Sequence, residues 1–224
     1  MVVLDGWAAQ VHLLPVPLPA PEGFSGPVLE LDAVAPAERA PVEIADGPTT
    51  AWVLATSGTT GEPTRVRHTL ASLSRTVRAG GRAGSLRWGL VYDPNRMAGL
   101  QVLLQGLLTG APVLDAGTEG SIGERATWLA RHDVSAMSAT PTLWRQLLQS
   151  PPVEGLDLRQ ITLGGEIADQ LVLDALHARF PDAHITHVFA STETGSAFAV
   201  GDGRAGFPIS YLAEAPRCIR LDLR

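Results

Sequence analysis

Lysine is missing from this sequence altogether: all 17 basic side chains are arginine. Against 23 acidic residues they leave a formal charge of −6, which excludes the broad positive field of a nucleic-acid-binding surface. An anionic ligand must then be held by backbone dipoles and a few arginines. Cysteine is nearly as scarce. Cys218 stands alone, so the chain has no internal disulfide and no thiolate set for a structural zinc ion. No uninterrupted apolar run approaches the roughly 18 residues of a membrane helix. The start, Met1-Val2-Val3-Leu4-Asp5, has no basic stretch ahead of its apolar residues. These absences lead to the expectation of a soluble, cytoplasmic protein without nucleic-acid or membrane partners.

The 224 residues, 45% of them hydrophobic, suffice for one good core and are short for two full domains. Residues 1–50 hold eight of the 17 prolines, which break helical and strand periods alike and predict an extended Pro-rich arm. Within it Val28-Leu29-Glu30-Leu31 reads as a candidate edge strand. From Ala51 the pattern becomes short apolar runs alternating with segments of helical period, the signature of an α/β fold with a mostly parallel sheet flanked by helices. Candidate strands are 51–55, 87–92, 111–115, 134–138, 159–163 and 184–189. Leu70, Leu73 and Val77 mark one helix, Leu100 to Leu108 a second that ends at Gly110, and Ile122 to about Arg131 a third. Thr140-Pro141 opens a fourth and Asp169 caps a fifth, which Phe180-Pro181 ends.

In open parallel sheets the ligand crevice lies beyond the carboxyl ends of the strands. Three loops there stand out. Thr56-Ser57-Gly58-Thr59-Thr60-Gly61 offers inward-turned backbone N–H groups and hydroxyls that can follow phosphate oxygens. It lacks the spacing and lysine of a Walker A loop. The plain alternative is a Ser/Thr/Gly linker. Gly164-Gly165-Glu166 reads either as flat backbone against a base or as a tight strand-to-helix turn. In Ala190-Ser191-Thr192-Glu193-Thr194-Gly195, preceded by Phe189, the carboxylate suits a magnesium ion bridging phosphates; the bland reading is a solvated glutamate.

T-S-G-T-T-G-x-P after a strand, then G-G-E, then aromatic-x-x-T-E, in that order over roughly residues 51–210, resembles the adenylate-forming superfamily: acyl-CoA synthetases, nonribosomal-peptide adenylation domains and luciferases. The resemblance implies the core of their large N-terminal domain, truncated, over 51–224. It also implies activation of a carboxylic acid by Mg-ATP to an acyl-adenylate, followed by transfer to coenzyme A or the phosphopantetheine of a carrier protein. By motif, Thr56, Ser57, Gly58, Thr59, Thr60 and Gly61 would cradle the β- and γ-phosphates. Gly164, Gly165 and Glu166, with Phe189, Ala190 and Ser191, would frame the adenine side. Thr192 would touch the α-phosphate, and Glu193 would hold Mg2+. Asp93 to Leu100 takes the place of the family's acyl-pocket loop, and Ser138 to Thr142 that of its next substrate-side loop.

The departures are informative. The family's first motif usually continues Pro-Lys-Gly, where this chain reads Pro63-Thr64-Arg65. The family's small C-terminal domain, with its transition-state lysine, is not recognisable, so the resemblance implies that such a domain acts from elsewhere. The opposing expectation is an inactive nucleotide-binding or scaffold protein. Arg96, in the acyl-pocket loop, either pairs with an anionic substrate or is a surface arginine. His187 either faces substrate or is packed and hydrogen-bonded.

Overall fold

The computed structural model describes residues 10–13, 50–56, 64–77 and 83–213. Its strands are β1 (Gln10–Leu13), β2 (Ala51–Ala55), β3 (Arg65–His68), β4 (Trp88–Leu90), β5 (Val113–Asp115), β6 (Ala136–Ala139), β7 (Gln160–Leu163), β8 (His184–Ser191) and β9 (Gly195–Val200). Its helices are α1 (Leu70–Leu73), α2 (Met97–Thr109), α3 (Ile122–Ala130), α4 (Pro141–Gln149) and α5 (Gln170–Arg179). Six strands form one sheet in the order β5-β4-β6-β7-β8-β9. The pairs from β5 through to β8 are parallel, and β9 returns antiparallel to β8. The second sheet runs β1-β2-β3, with β1 parallel and β3 antiparallel to β2.

β5 and β6 lie on opposite sides of β4. The order of the sheet therefore reverses at β4, where doubly wound folds open their ligand crevice. The shared direction of β4, β6, β7 and β8 places the loops that begin at Val91, Thr140 and Gly164, and the turn after Ser191, along one edge.

Side-chain alternation makes one face of this sheet the main core. Met137, Ala139, Ile161, Leu163 and Ile185 pack with Ala126, Leu129, Trp144, Leu147, Val172 and Leu176 from α3, α4 and α5. Each fully buried leucine or isoleucine contributes about 1.5–3 kcal/mol. Trp144 is fully buried, and its indole Nε1 donates to the Thr162 carbonyl at 3.0 Å, so α4 is fixed to β7 by packing and by a satisfied polar atom. On the other side α2 packs Leu100 and Leu104 against Trp52 and Leu54 of β2 and Leu70 and Leu73 of α1. Gly99 of α2 rests on the Asp93 carbonyl so closely that any Cβ would collide with backbone.

The helix ends follow the sequence. Gly110 closes α2 in the left-handed region at φ 71. Thr140 accepts from the Leu143 N–H at 3.2 Å with Pro141 next, and Asp169 accepts from the Val172 N–H at 3.0 Å. Two local expectations fail. The period of Leu70, Leu73 and Val77 predicts two helical turns, but α1 stops at Leu73 and turns. Gln101 of α2 donates its side-chain amide to the Leu73 carbonyl at 2.8 Å, satisfying that carbonyl without a further helical turn. Phe189, expected to end a strand, is followed by Ala190 and Ser191 still in β8, and Thr192-Glu193-Thr194 is the turn of a hairpin with β9. Val28 to Leu31 lies outside the described residues.

Candidate nucleotide site

The first loop leaves β2 at Thr56 and returns at Thr64, where its neck is closed twice. The Thr56 N–H donates to the Thr64 carbonyl at 2.9 Å, and the Thr64 N–H donates to Thr56 Oγ1 at 3.2 Å. Ser57, Gly58, Thr59, Thr60 and Gly61 lie outside the described residues.

At the second loop Gly164 donates to the Ala139 carbonyl at 3.3 Å, and a Cβ on Gly164 would meet open space. Gly165 has φ +80, a conformation that favours glycine. Glu166 reaches across to the start of α4, where its carboxylate accepts from the Thr142 N–H at 3.1 Å and the Thr142 hydroxyl at 2.6 Å. This carboxylate therefore joins the loops after β6 and β7 and caps a helix amino terminus.

In the third element Ser191 Oγ accepts from the Thr194 N–H at 3.1 Å and lies 3.0 Å from the Thr194 hydroxyl, which sets the shape of the turn. Glu193 is exposed, and hydrogen bonds from its own backbone N–H and then from the Ser191 hydroxyl hold its carboxyl below the usual range. It is an anion at neutral pH. No group of three or more His, Cys, Asp or Glu residues able to hold a metal occurs among the described residues. A single carboxylate fits magnesium held mainly by phosphate oxygens and water rather than by a protein cage.

Phe189 is half-buried in an aromatic cluster, stacked on Phe198 at 4.6 Å with Phe207 edge-on at 5.6 Å. Ala190 beside it is exposed. His187 pairs in register with Leu163 and is 5% exposed, with Nε2 unpartnered. Burial lowers its pKa against the opposing charge of Asp202 and a backbone hydrogen bond at Gly206. Arg96 stands at the N-cap of α2 with a loose ion pair to Asp93 at 3.8 Å. The Tyr92 hydroxyl, one step before Asp93, is buried without a hydrogen-bond partner of good geometry. Burial raises its pKa, the adjacent Ser138 opposes that rise and the Glu166 charge adds to it.

The third loop is joined to the β2–β3 hairpin by a residue that the motifs do not single out. His68, at the end of β3, places Nε2 2.7 Å from the Thr192 carbonyl. Beside this joint a cavity of about 440 Å³ is lined by Arg67, His68, Ser72, Arg75, Glu193 and Thr194, among others. The sequence signal for the cavity was Arg67, a few residues beyond the hydroxyl-rich loop on β3. A cavity of equal size near the amino end of β7, between 152–158 and 179–182, includes none of the residues picked out by the motifs.

The reversing parallel sheet, with the second and third motif loops along its carboxyl edge, has the α/β arrangement of the adenylate-forming fold. The chain belongs to the AMP-binding enzyme family, whose model matches residues 10–215. It is 27% identical over 157 residues to surfactin synthase subunit 1 of Bacillus subtilis, covering 64% of this chain and 4% of that protein. It is 31% identical over 174 residues to a dimodular nonribosomal peptide synthase of the same organism, covering 70% and 7%. Among solved structures, the fold resembles that of an NRPS protein containing adenylation and PCP domains, at TM-score 0.61 and 22% identity, covering 83% of this chain and 38% of that one. O-succinylbenzoate coenzyme A synthetase from Bacillus subtilis, in complex with ATP and magnesium, aligns at TM-score 0.54 and 22% identity, covering 67% and 32%. The chain thus spans a small part of these synthases and well under half of the solved relatives.

Proposed function

We propose that this chain binds Mg-ATP and activates a carboxylic acid as its acyl-adenylate, for transfer to a thiol of coenzyme A or of a carrier protein's phosphopantetheine. The observation that carries the reading is the position of Glu193, an anionic carboxylate bordering the cavity between the β8–β9 turn and the phosphate-loop hairpin. In the first step a substrate carboxylate oxygen bonds to the α-phosphorus and pyrophosphate leaves. In the second a thiolate displaces AMP from the acyl carbon. By their motif, Thr56 to Gly61 would supply N–H and hydroxyl donors to the β- and γ-phosphates, and the Thr192 hydroxyl would donate to the α-phosphate. Gly164, Gly165, Phe189, Ala190 and Ser191 border the base, while Glu166 holds the loops after β6 and β7 together. Arg96 and His187 are the substrate-side candidates. Glu193 would hold magnesium, which when bound would supply positive charge as negative charge spreads over the phosphates. Fixed donors suit this chemistry because they need no reorganisation when that charge develops.

Carboxylate-dependent exchange of labelled pyrophosphate into ATP tests the reading, with the chain alone and with a family C-terminal domain supplied in trans. Exchange is expected when both are present. Glu193→Ala is expected to abolish the magnesium dependence of ATP binding, read by calorimetry; unchanged dependence removes Glu193 from the metal site. The absence of lysine throughout the chain supports a second reading, a non-catalytic nucleotide-binding or scaffold protein. ATP binding without exchange in either format favours it.

A further inference from the structure

His68 is 8% exposed, and its ring is held at both nitrogens. The Thr192 carbonyl only accepts, so the nitrogen 2.7 Å away, Nε2, carries a proton. The ring's Nδ1 lies 3.3 Å from the Ser72 hydroxyl oxygen. Ser72 is itself fixed in the α1 capping box, with its Oγ 3.1 Å from the Thr69 N–H and 2.9 Å from the Thr69 carbonyl. The chain of contacts therefore runs from the first turn of α1 through an imidazole to the peptide between Thr192 and Glu193. It joins residues 124 positions apart. β3 connects this joint to the neck of the phosphate loop, since Arg65 opposite Ala55 and His68 opposite Trp52 are two ends of one hairpin. A Cβ on Gly195, just beyond the turn, would come within 3.9 Å of the Ser72 carbonyl, so the start of β9 also passes close to α1.

We propose that His68 is a positioning residue that fixes the Thr192–Glu193 turn against the phosphate-loop hairpin and so sets the magnesium-dependent part of ATP affinity. The proposal rests on the adenylation reading for the identity of the ligand. It makes a direct mechanical claim besides: the turn is ordered by the Nε2–H donor and not merely by packing around the ring. Glutamine can present an amide N–H near the place of Nε2, asparagine is too short to reach, and phenylalanine keeps the ring volume without a donor.

The test compares wild type, His68→Gln and His68→Phe by two measurements, amide hydrogen exchange at residues 192–195 without nucleotide and ATP calorimetry with and without magnesium. His68→Phe is expected to speed exchange in the turn and to reduce the magnesium-dependent gain in ATP affinity by roughly five- to tenfold, the scale of one lost hydrogen bond. His68→Gln is expected to stay within about twofold of wild type in both. Wild-type exchange in His68→Phe, or equal impairment of the Gln and Phe variants, overturns the proposal. If His68→Phe does not fold, His68→Asn takes its place with the same expected outcome. Failure of the wild-type chain to bind ATP sinks the adenylation reading instead, and the exchange measurement still decides the role of His68.

Discussion

Strands β6 to β8 turn Met137, Ala139, Ile161, Leu163 and Ile185 towards α3, α4 and α5, while Ser138, Gln160, Thr162 and Thr186, one residue along, face the other way. On the helix side the residues are apolar and almost wholly removed from water. On the other side they are half-buried and linked by polar contacts: Gln160 donates to Thr162 and Thr186 at 3.4 and 3.3 Å and lies 3.2 Å from the ring of His184. A period of two thus separates two tasks on the same strands. The apolar face supplies stability; the loops along the carboxyl edge hold the proposed site.

The strongest challenge to that division is Trp144→Ala, which removes a fully buried indole and its hydrogen bond to the Thr162 carbonyl. A loss of about 3–5 kcal/mol is expected, read from urea unfolding. A loss under ~1 kcal/mol, the range of ordinary surface changes, would mean that the helices are not what holds the sheet. Gly165→Ala should cost less, about 1–2 kcal/mol, because the residue sits at φ +80. The added methyl would lie at ordinary contact distance, 3.7 Å, from Thr140 Cγ2, so the cost is conformational. Gly164→Ala, with open space and no positive φ, is the control and should be nearly neutral. Equal costs for the two would refute the assignment of strain to Gly165.

Much of the apolar face was readable in advance because burial imposes a pattern on every strand and helix that takes part. The strand segments 159–163 and 184–189, the glycine stop at Gly110 and the caps at Thr140 and Asp169 all depend on neighbours within a few residues. What the sequence concealed depends on distant partners. Arg-Val-Arg-His of β3 has one apolar residue in four and becomes a strand through its pairing with β2. β9 is fixed by the hairpin with β8, and α1 is shortened by Gln101 from α2. The motifs located the candidate loops, and Thr192 and Glu193 do lie at one turn. That a histidine 124 residues earlier touches that turn could be read only from the fold.

His187 is the exception on the apolar face, a polar ring in register with Leu163 whose Nε2 has no partner. Its folded-state pKa lies below the ordinary imidazole value, so the unfolded chain takes up a proton first as pH falls. Its contribution to stability is therefore intact above about pH 6.5 and is lost as pH drops from there through the lowered folded value. His187→Gln should flatten the stability–pH curve in that window, measured by unfolding at a series of pH values. A wild-type curve already flat there, or an unaltered slope in the variant, would place the imidazole in a wetter setting than the apolar face.

The smallest stability effect belongs to the carboxyl edge. Arg96 is 45% exposed and its ion pair with Asp93 is long at 3.8 Å, a geometry that contributes about 0–1 kcal/mol. Arg96→Ala should leave unfolding within ~0.5 kcal/mol of wild type. The α2 N-cap gains nothing from this side chain, which makes no capping hydrogen bond. Under the proposed function, a guanidinium in the loop that begins at Val91 would favour a carboxylic acid with a second negative charge. In the exchange assay the variant should lose activity selectively towards dicarboxylic acids and keep it towards monocarboxylic ones. A uniform loss over both classes would make Arg96 a structural part of the loop, and no loss in either would make it a surface arginine; only the selective outcome keeps chemistry and stability on separate sides of the sheet.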